Sequence, residues 1–225
     1  MTNGREATTK RWYDDACGTA LGMELVGERW SLLIVRELLL GPRRFGALRT
    51  GLPGVSANVL TQRLAGLEAS GIIERRMLPP PANVQVYALT PWGQECEPVV
   101  LGLARWALRS PLHDARLFFS PTAMMLSFKM LLVPGRAEDM HAVIGLQLDG
   151  EGYVATISDG RIVVARGDLA GADAVFTGKP GAMLPLFYGG KALAEAEAAG
   201  WVSVTGDRAV AERFARLFSL PEKIG

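Results

Sequence analysis

The sequence contains few of the residues that hold metals, cross-link chains or perform acid–base catalysis. It has two cysteines, Cys17 and Cys96, and two histidines, His113 and His141, none of them at a spacing typical of a metal site. Gly189-Gly190-Lys191 lacks the spaced glycines of a phosphate-binding loop. Since no nucleophile, acid–base pair or cofactor loop is recognisable, we predict a protein that is not an enzyme and holds no cofactor or metal.

Long apolar runs are also missing. The longest candidate, Met124–Val133, is interrupted by Lys129 and followed by Pro134, and a membrane-spanning helix needs about 18 or more apolar residues. The first 16 residues are polar and charged, unlike a secretory signal peptide. We therefore expect a cytoplasmic protein with reduced thiols and no membrane partner.

The net charge is nearly balanced, at +1, but it is unevenly distributed along the chain. Residues 1–110 hold 13 basic and 10 acidic side chains, whereas residues 111–225 hold 11 and 13. The hydrophobic content of 49% is sufficient for packed cores. This distribution favours a module that contacts nucleic acid, followed by one that does not.

The first half has the order of parts of a winged helix-turn-helix. Apolar periodicity and turn residues predict helices over Ala16–Val26, Glu28–Leu40, Arg43–Arg49, Ser56–Ser70 and Thr90–Arg109, and strands over Ile72–Leu78 and Val84–Leu89. The two strands form a hairpin, the wing, whose tip is Pro79-Pro80-Pro81-Ala82-Asn83. In this order the second helix of the motif, Ser56–Ser70, enters the DNA major groove.

The helix from Ser56 to Ser70 carries polar side chains opposite its apolar face. Asn and Gln can bond adenine bidentately, and Arg can do so with guanine. We predict that double-stranded DNA is contacted by Ser56, Ala57, Asn58, Thr61, Gln62 and Arg63. Because most protein–DNA hydrogen bonds reach phosphates, a second predicted set is Arg43, Arg44, Arg49, Arg75 and Arg76.

Several motifs in this half resemble the HxlR-type family of bacterial transcription regulators. They are Cys17, Gly27-Glu28-Arg29-Trp30-Ser31-Leu32-Leu33-Ile34, Gly41-Pro42-Arg43-Arg44-Phe45, Leu60-Thr61-Gln62-Arg63-Leu64, Gly71-Ile72-Ile73-Glu74-Arg75 and Tyr87-Ala88-Leu89-Thr90. The resemblance implies a homodimer, formed largely by the first and last helices of this domain. It also implies a palindromic operator and repression or activation of a nearby gene. The chain departs from the pattern in lacking a basic residue at the wing tip and a proline after Cys17.

Two interpretations of Cys17 stay open. It can be a small buried residue, or it can be the redox or electrophile sensor that the resemblance suggests. A nearby helix N-terminus would lower its pKa, whereas Cys96 stands between Glu95 and Glu97 and has less reason to react.

The second half alternates strands and helices. Predicted strands cover Ala142–Leu148, Tyr153–Ser158, Arg161–Ala165, Ala174–Thr177 and Trp201–Thr205, and predicted helices cover Pro121–Val133, Pro180–Tyr188, Lys191–Ala199 and Asp207–Phe218. With Gly171-Ala172-Asp173-Ala174-Val175-Phe176-Thr177-Gly178, Leu184, Leu186 and Val202-Ser203-Val204-Thr205-Gly206-Asp207, this order resembles the sterol-carrier-protein type-two fold. That resemblance implies an α/β layer around an apolar ligand cavity. We predict that the cavity is lined by Met124, Met125, Phe128, Met183, Phe187, Trp201, Phe214 and Phe218; a filled core made of the same residues is the alternative.

The sequence as a whole predicts an α+β protein with two domains. A flexible arm (1–15) precedes a winged helix-turn-helix domain for DNA binding and dimerisation (16–110). A linker (111–120) leads to an α/β sterol-carrier-like sandwich domain (121–225). The leading hypothesis is a homodimeric transcriptional regulator that responds to a hydrophobic small molecule. The alternative hypothesis is a lipid carrier whose winged helix serves for dimerisation or docking.

Overall fold

The computed structural model describes residues 13–224, so the predicted arm lies mostly outside the described residues. The N-terminal domain contains six helices: α1 (Gly18–Val26), α2 (Ser31–Leu38), α3 (Phe45–Gly51), α4 (Ala57–Ala69), α5 (Pro91–Gln94) and α6 (Glu97–Ala107). Its two strands, β1 (Ile73–Met77) and β2 (Gln85–Leu89), pair antiparallel with Ile73 opposite Leu89. The predicted order of a winged helix-turn-helix is confirmed.

Two predicted helices in this domain are interrupted. Trp30 has a left-handed backbone (φ 81°), so α2 begins at Ser31 rather than at Glu28. The helix predicted over 90–109 is divided into α5 and α6, and Pro98 stands in the first turn of α6. Because proline has no N–H to donate to the preceding turn, it favours a helix start over a helix interior.

The C-terminal domain contains one five-stranded sheet. Its elements are α7 (Pro121–Leu131), α8 (Pro134–Ala137), β3 (Ala142–Leu148), β4 (Glu151–Ser158), β5 (Arg161–Arg166), β6 (Ala174–Gly178), α9 (Pro180–Tyr188), α10 (Leu193–Ala198), β7 (Ser203–Gly206) and α11 (Arg208–Ala215). The strand order is β5-β4-β3-β6-β7, and only β3 and β6 run parallel. This mixed helix-and-sheet architecture confirms the predicted fold class.

Each domain has its own apolar core, and α7 contributes to both. The N-terminal core is built on buried side chains of α2, α3, α4 and the wing strands, and it includes Leu126 of α7. The larger C-terminal core takes Met124, Met125 and Phe128 from the same helix. Since α7 packs against both cores, a movement of this helix would change the packing of both domains.

Within the described residues, no helix is long and apolar enough to cross a bilayer. The same residues contain no group of three or more His, Cys, Asp or Glu side chains that could hold a metal ion.

Candidate functional site

Helix α4 presents a polar face to the surface because its apolar side chains follow one stripe. Leu60, Leu64 and Leu67 are buried at helical spacing. The helix begins after Ser56, whose hydroxyl accepts a hydrogen bond from the Val59 N–H at 3.2 Å. This cap fixes the first turn, the part of a recognition helix that usually contacts base edges.

The uncharged polar side chains that follow the cap in the first two turns have no partners within the described part of the chain. Asn58, Thr61 and Gln62 are exposed, and their side chains form no hydrogen bond with any described residue. Ala57, also exposed, leaves space beside them. These donors and acceptors are therefore free to bond a ligand such as a base pair.

The predicted arginines fall into three groups. Arg44 and Arg49, at the start and end of α3, are exposed and form no ion pair with a described residue. Arg63, Arg75 and Arg76 are each paired with a carboxylate of the same domain. The third group is Arg43 alone, which is buried.

The paired arginines neutralise part of the positive charge near α4. Arg63 reaches Glu28 at 2.7 Å and also donates to the Arg29 carbonyl. Arg75 binds Glu68, and its hydrogen bonds lower the pKa of that carboxyl; Arg76 binds Glu74. Exposed ion pairs of this kind are screened by water and contribute little to stability, so a phosphate can compete for these guanidinium groups.

The predicted role of Arg43 in contacting DNA is corrected by its position. Its side chain is 6% exposed and lies between the two domains. One guanidinium nitrogen donates to Glu151, and the other donates to Thr122 Oγ1 (2.9 Å) and Tyr153 Oη (2.7 Å). A guanidinium enclosed by these three partners has no path to a phosphate.

Other polar contacts surround Arg43 at the domain interface. Tyr153 Oη donates to Glu151 at 2.6 Å, and burial, followed by the adjacent carboxylate, raises the pKa of Tyr153 to about 12. We call Arg43, Thr122, Glu151 and Tyr153 the interdomain cluster. Sequence reasoning missed it, because a glutamate after an Asp-Gly turn and a tyrosine in a strand give no signal of a partner more than 100 residues away.

The eight residues predicted to line a ligand cavity are brought together in the C-terminal core. Seven of them are buried, and Trp201 is partly buried. The ring centroid of Phe128 lies 4.5 Å from that of Phe218 and 4.8 Å from that of Phe187. These side chains fill the space with one another, so the ligand site predicted from them is closed in this structure.

Two surface depressions in the described residues lie elsewhere. One is bounded by Gly102, Arg105, Trp106, Arg109, Pro221 and Glu222. The other is bounded by Arg136, Ala209, Glu212, Arg213, Arg216 and Leu217. Neither contains a residue predicted to bind DNA or a hydrophobic ligand.

The two cysteines differ in environment. Cys17 is exposed immediately before α1, so it is not packed into the core of a single chain. The backbone N–H of Thr19, then its hydroxyl and the N–H of Ala20, lower the pKa of Cys17. Burial raises the pKa of Cys96.

Helices α1 and α6 are unusual in burying none of their residues. The exposed apolar side chains on them include Leu21, Met23, Val99, Leu103 and Trp106, the last with 72% of its surface exposed. Several exposed apolar side chains on the same helices are typical of a contact surface.

Known proteins resemble the two halves separately. Residues 25–112 match the HxlR-like helix-turn-helix family, and residues 130–219 match the SCP-2 sterol transfer family. The uncharacterised HTH-type transcriptional regulator sll1512 of Synechocystis is 44% identical over 82 residues, which are 36% of this chain and 60% of that protein. The chain thus spans less than two thirds of that relative's length.

Two regulators from Bacillus subtilis are covered more completely. YvaP is 35% identical over 86 residues, 38% of this chain and 79% of YvaP. YodB is 36% identical over 83 residues, 37% of this chain and 74% of YodB. In the solved structure of reduced YodB, the matched residues are 32% identical to this chain. The match covers 44% of this chain and 98% of the YodB chain, with a TM-score of 0.39.

Two observations agree with the HxlR-like match of the N-terminal domain: the order of α3, α4, β1 and β2, and the polar face of α4. The SCP-2 match covers the sheet of the C-terminal domain. The chain belongs to the HxlR-like helix-turn-helix family, and its residues 130–219 match the SCP-2 sterol transfer family.

Proposed function

We propose that the protein is a cytoplasmic, homodimeric regulator that binds a palindromic DNA operator through α4 and responds to a hydrophobic small molecule. The observation that carries the proposal is the exposed, unpartnered set Asn58, Thr61 and Gln62 on the capped first half of α4. Arg44 and Arg49 stand on the neighbouring helix, free to bind phosphates. Catalysis has no part in this function.

The homodimer in this proposal forms through α1 and α6. Their exposed apolar side chains would be covered by the same helices of a second copy, in a two-fold arrangement. Two copies of α4 would then meet successive major grooves about one helical turn apart, which explains why the expected operator is palindromic.

A selection experiment tests sequence-specific binding with random DNA in place of a defined operator. Full-length protein is incubated with a random duplex library at physiological salt, and bound DNA is sequenced over several rounds. We expect enrichment of an inverted repeat with half-sites about 10 base pairs apart. Recovery of DNA without any shared sequence would contradict the proposal.

For the effector, we propose binding within the C-terminal aromatic and methionine core. Met124, Met125 and Met183 are flexible side chains that can repack around a ligand. Because the core is closed in this structure, binding requires Phe128 and its neighbours to separate. A ligand can regulate DNA binding only if it binds the open and closed states with different affinities.

A hydrophobic-ligand carrier is the second candidate function. The observation in its favour is the weak positive charge near α4, where the wing tip has no basic residue and Arg63, Arg75 and Arg76 are already paired. Native mass spectrometry of the purified protein, with organic extraction of bound molecules, separates the candidates when it is combined with the selection. Bound lipid together with no selected DNA sequence would favour the carrier.

A further inference from the structure

The interdomain cluster connects the C-terminal sheet to the loop of the N-terminal domain that leads into α3. The backbone N–H of Arg43 donates to the Tyr87 carbonyl at 2.9 Å, and the Tyr87 N–H donates back at 2.8 Å. Arg43 is thereby tied to strand β2 of the wing through its backbone and to the C-terminal domain through its side chain. The next residue, Arg44, is exposed and is the N-cap residue of α3.

A second arginine holds the same loop from strand β5. Arg166 donates to the Gly41 carbonyl at 2.7 Å and to the Pro42 carbonyl at 3.0 Å. Strands β4 and β5 pair directly, with Tyr153 opposite Arg166. Residues 41–43 are consequently held at three consecutive positions by two adjacent strands of the other domain.

Helix α7 makes a third connection at its N-terminal end. Ser120 caps this helix and donates to the carboxylate of Glu37 in α2 at 2.6 Å. Glu37 is 1% exposed and lies against Gly51 at the end of α3, where an added Cβ would come 2.7 Å from its carboxylate. Two turns further along, α7 places Phe128 in the aromatic core.

Burying the guanidinium groups of Arg43 and Arg166 at this interface carries a desolvation cost. Arg43 Nε and Arg166 Nε are buried without a hydrogen-bond partner among the described residues. Glu151 keeps 39% of its side chain exposed, so its ion pair with the enclosed Arg43 is only partly buried. Removing one partner of a buried pair is strongly destabilising, because the other charge is left uncompensated. Such a cluster fixes one geometry of the parts that it joins.

We propose that Arg43 is a positioning residue, through which the C-terminal sheet and α7 set the placement of α3 and the wing relative to α4. The inference rests on the proposed function and deepens it, because it names the route by which changes in the C-terminal core reach the DNA-binding surface. In the closed core, α7 holds Thr122 and Ser120 against the N-terminal domain. Separation of Phe128 from its neighbours would shift α7 and loosen these contacts.

Two conservative substitutions test the positioning role. Tyr153→Phe removes the hydroxyl that accepts a hydrogen bond from Arg43, and Glu151→Gln removes the negative charge that faces Arg43. Both residues lie in the C-terminal domain and do not belong to the DNA-contacting surface. Glu138→Gln is the matched control, since Glu138 is exposed in the same domain. Operator affinity is measured by fluorescence anisotropy with full-length protein, at a temperature where all variants are folded by circular dichroism.

We expect Tyr153→Phe and Glu151→Gln to change operator affinity by a factor in the range of about 5 to 150 that is typical of coupling between sites. Glu138→Gln should match the wild type. Hydrogen exchange provides a readout that does not need DNA. The amides of Arg43 and Tyr87 should exchange faster in both variants, whereas those of α4 should not change.

The outcomes separate this inference from the proposed function. Faster exchange at Arg43 and Tyr87 in a protein that selects no DNA sequence would support positioning and contradict the DNA-binding proposal. Normal operator selection by the wild type, with affinity and exchange unaltered in folded variants, would overturn the positioning role and leave DNA binding intact.

Discussion

At the scale of single residues, the N-terminal domain uses chemically identical arginines in different ways. Arg44 is exposed and unpaired among the described residues, whereas its neighbour Arg43 is enclosed by groups from the other domain. The motif Arg43-Arg44-Phe45 offers no indication of this difference. Which of two adjacent arginines turns inward depends on the sheet that packs against them, and a pattern read along the chain does not contain that information.

The polar side chains of α4 should determine which sequence is bound. We expect Asn58→Ala and Gln62→Ala each to reduce discrimination between the preferred base and its alternatives by about 1–3 kcal/mol. Binding of a panel of operator variants measures this loss. Ala65→Ser, on the exposed surface of the same helix one turn further on, is the control. If neither substitution altered the ranking of the operators, α4 would not be the reading helix.

Arg44 should behave differently, because we assign it to phosphates. Arg44→Ala should weaken binding to all duplexes by a similar factor and reduce the slope of log K against log salt by about 1. A salt titration from low to physiological ionic strength measures the slope. An altered base preference with an unaltered slope would argue against a phosphate contact.

Cys17 should react with thiol reagents faster than Cys96. A lowered pKa leaves more of Cys17 as thiolate at neutral pH, whereas the raised pKa and partial burial of Cys96 keep its thiol protonated. Peptide mass spectrometry after brief treatment with iodoacetamide at pH 7 measures both rates in one sample, and Cys17→Ser identifies the modified peptide. Equal rates in the folded protein would contradict this difference.

At the scale of elements, helices and strands could largely be predicted from apolar periodicity, whereas their interruptions could not. The wing, α4 and the strands β3 to β6 lie close to their predicted positions. The helix predicted over 90–109 divides near Pro98, and the left-handed Trp30 delays α2. Both departures arise at single residues whose backbone conformation outweighs the surrounding pattern.

Helix α7 should be the most sensitive to loss of its N-cap. Ser120→Ala removes the cap of α7 and the hydrogen bond to buried Glu37 together, and we expect a loss of about 1–3 kcal/mol. Asp207→Ala removes an exposed cap of α11 that accepts two backbone N–H groups, and it should cost about 0.5–2 kcal/mol.

Urea unfolding followed by tryptophan fluorescence compares the two cap variants. Two separated transitions in either variant would show that the domains unfold independently, and each transition would then be fitted alone. A Ser120→Ala variant no less stable than Asp207→Ala would contradict the contribution that we assign to the contact with Glu37.

At the scale of the whole molecule, both resemblances could be recognised from the sequence, and the same two families match residues 25–112 and 130–219. The way the two domains contact each other could not. Arg43 belongs to the N-terminal domain and its partners Thr122, Glu151 and Tyr153 to the C-terminal domain, so Arg43 meets them only when the two domains are docked. The closed aromatic core is likewise a property of packing, because the same phenylalanines would suit a cavity or a filled interior.

The homodimer proposal predicts the effect of a charge on the exposed face of α6. Leu103→Glu would place a carboxylate in the proposed apolar interface, so the protein should become monomeric and lose most of its operator affinity. Val163→Glu, at an exposed apolar position on β5, is the matched control. Light scattering coupled to size-exclusion chromatography gives the mass of each; a Leu103→Glu dimer would refute this interface.

The exposed face of α4 should give the protein a sequence-specific interaction with DNA. Fluorescence anisotropy at physiological salt measures the affinity of the wild-type protein for two duplexes of equal length. One duplex carries the promoter of the protein's own gene, and the other carries the same bases in shuffled order. We predict that the promoter is bound at least about a thousandfold more tightly, the lower end of the range for specific DNA-binding proteins. Equal affinities for the two duplexes would show that α4 does not give sequence-specific binding.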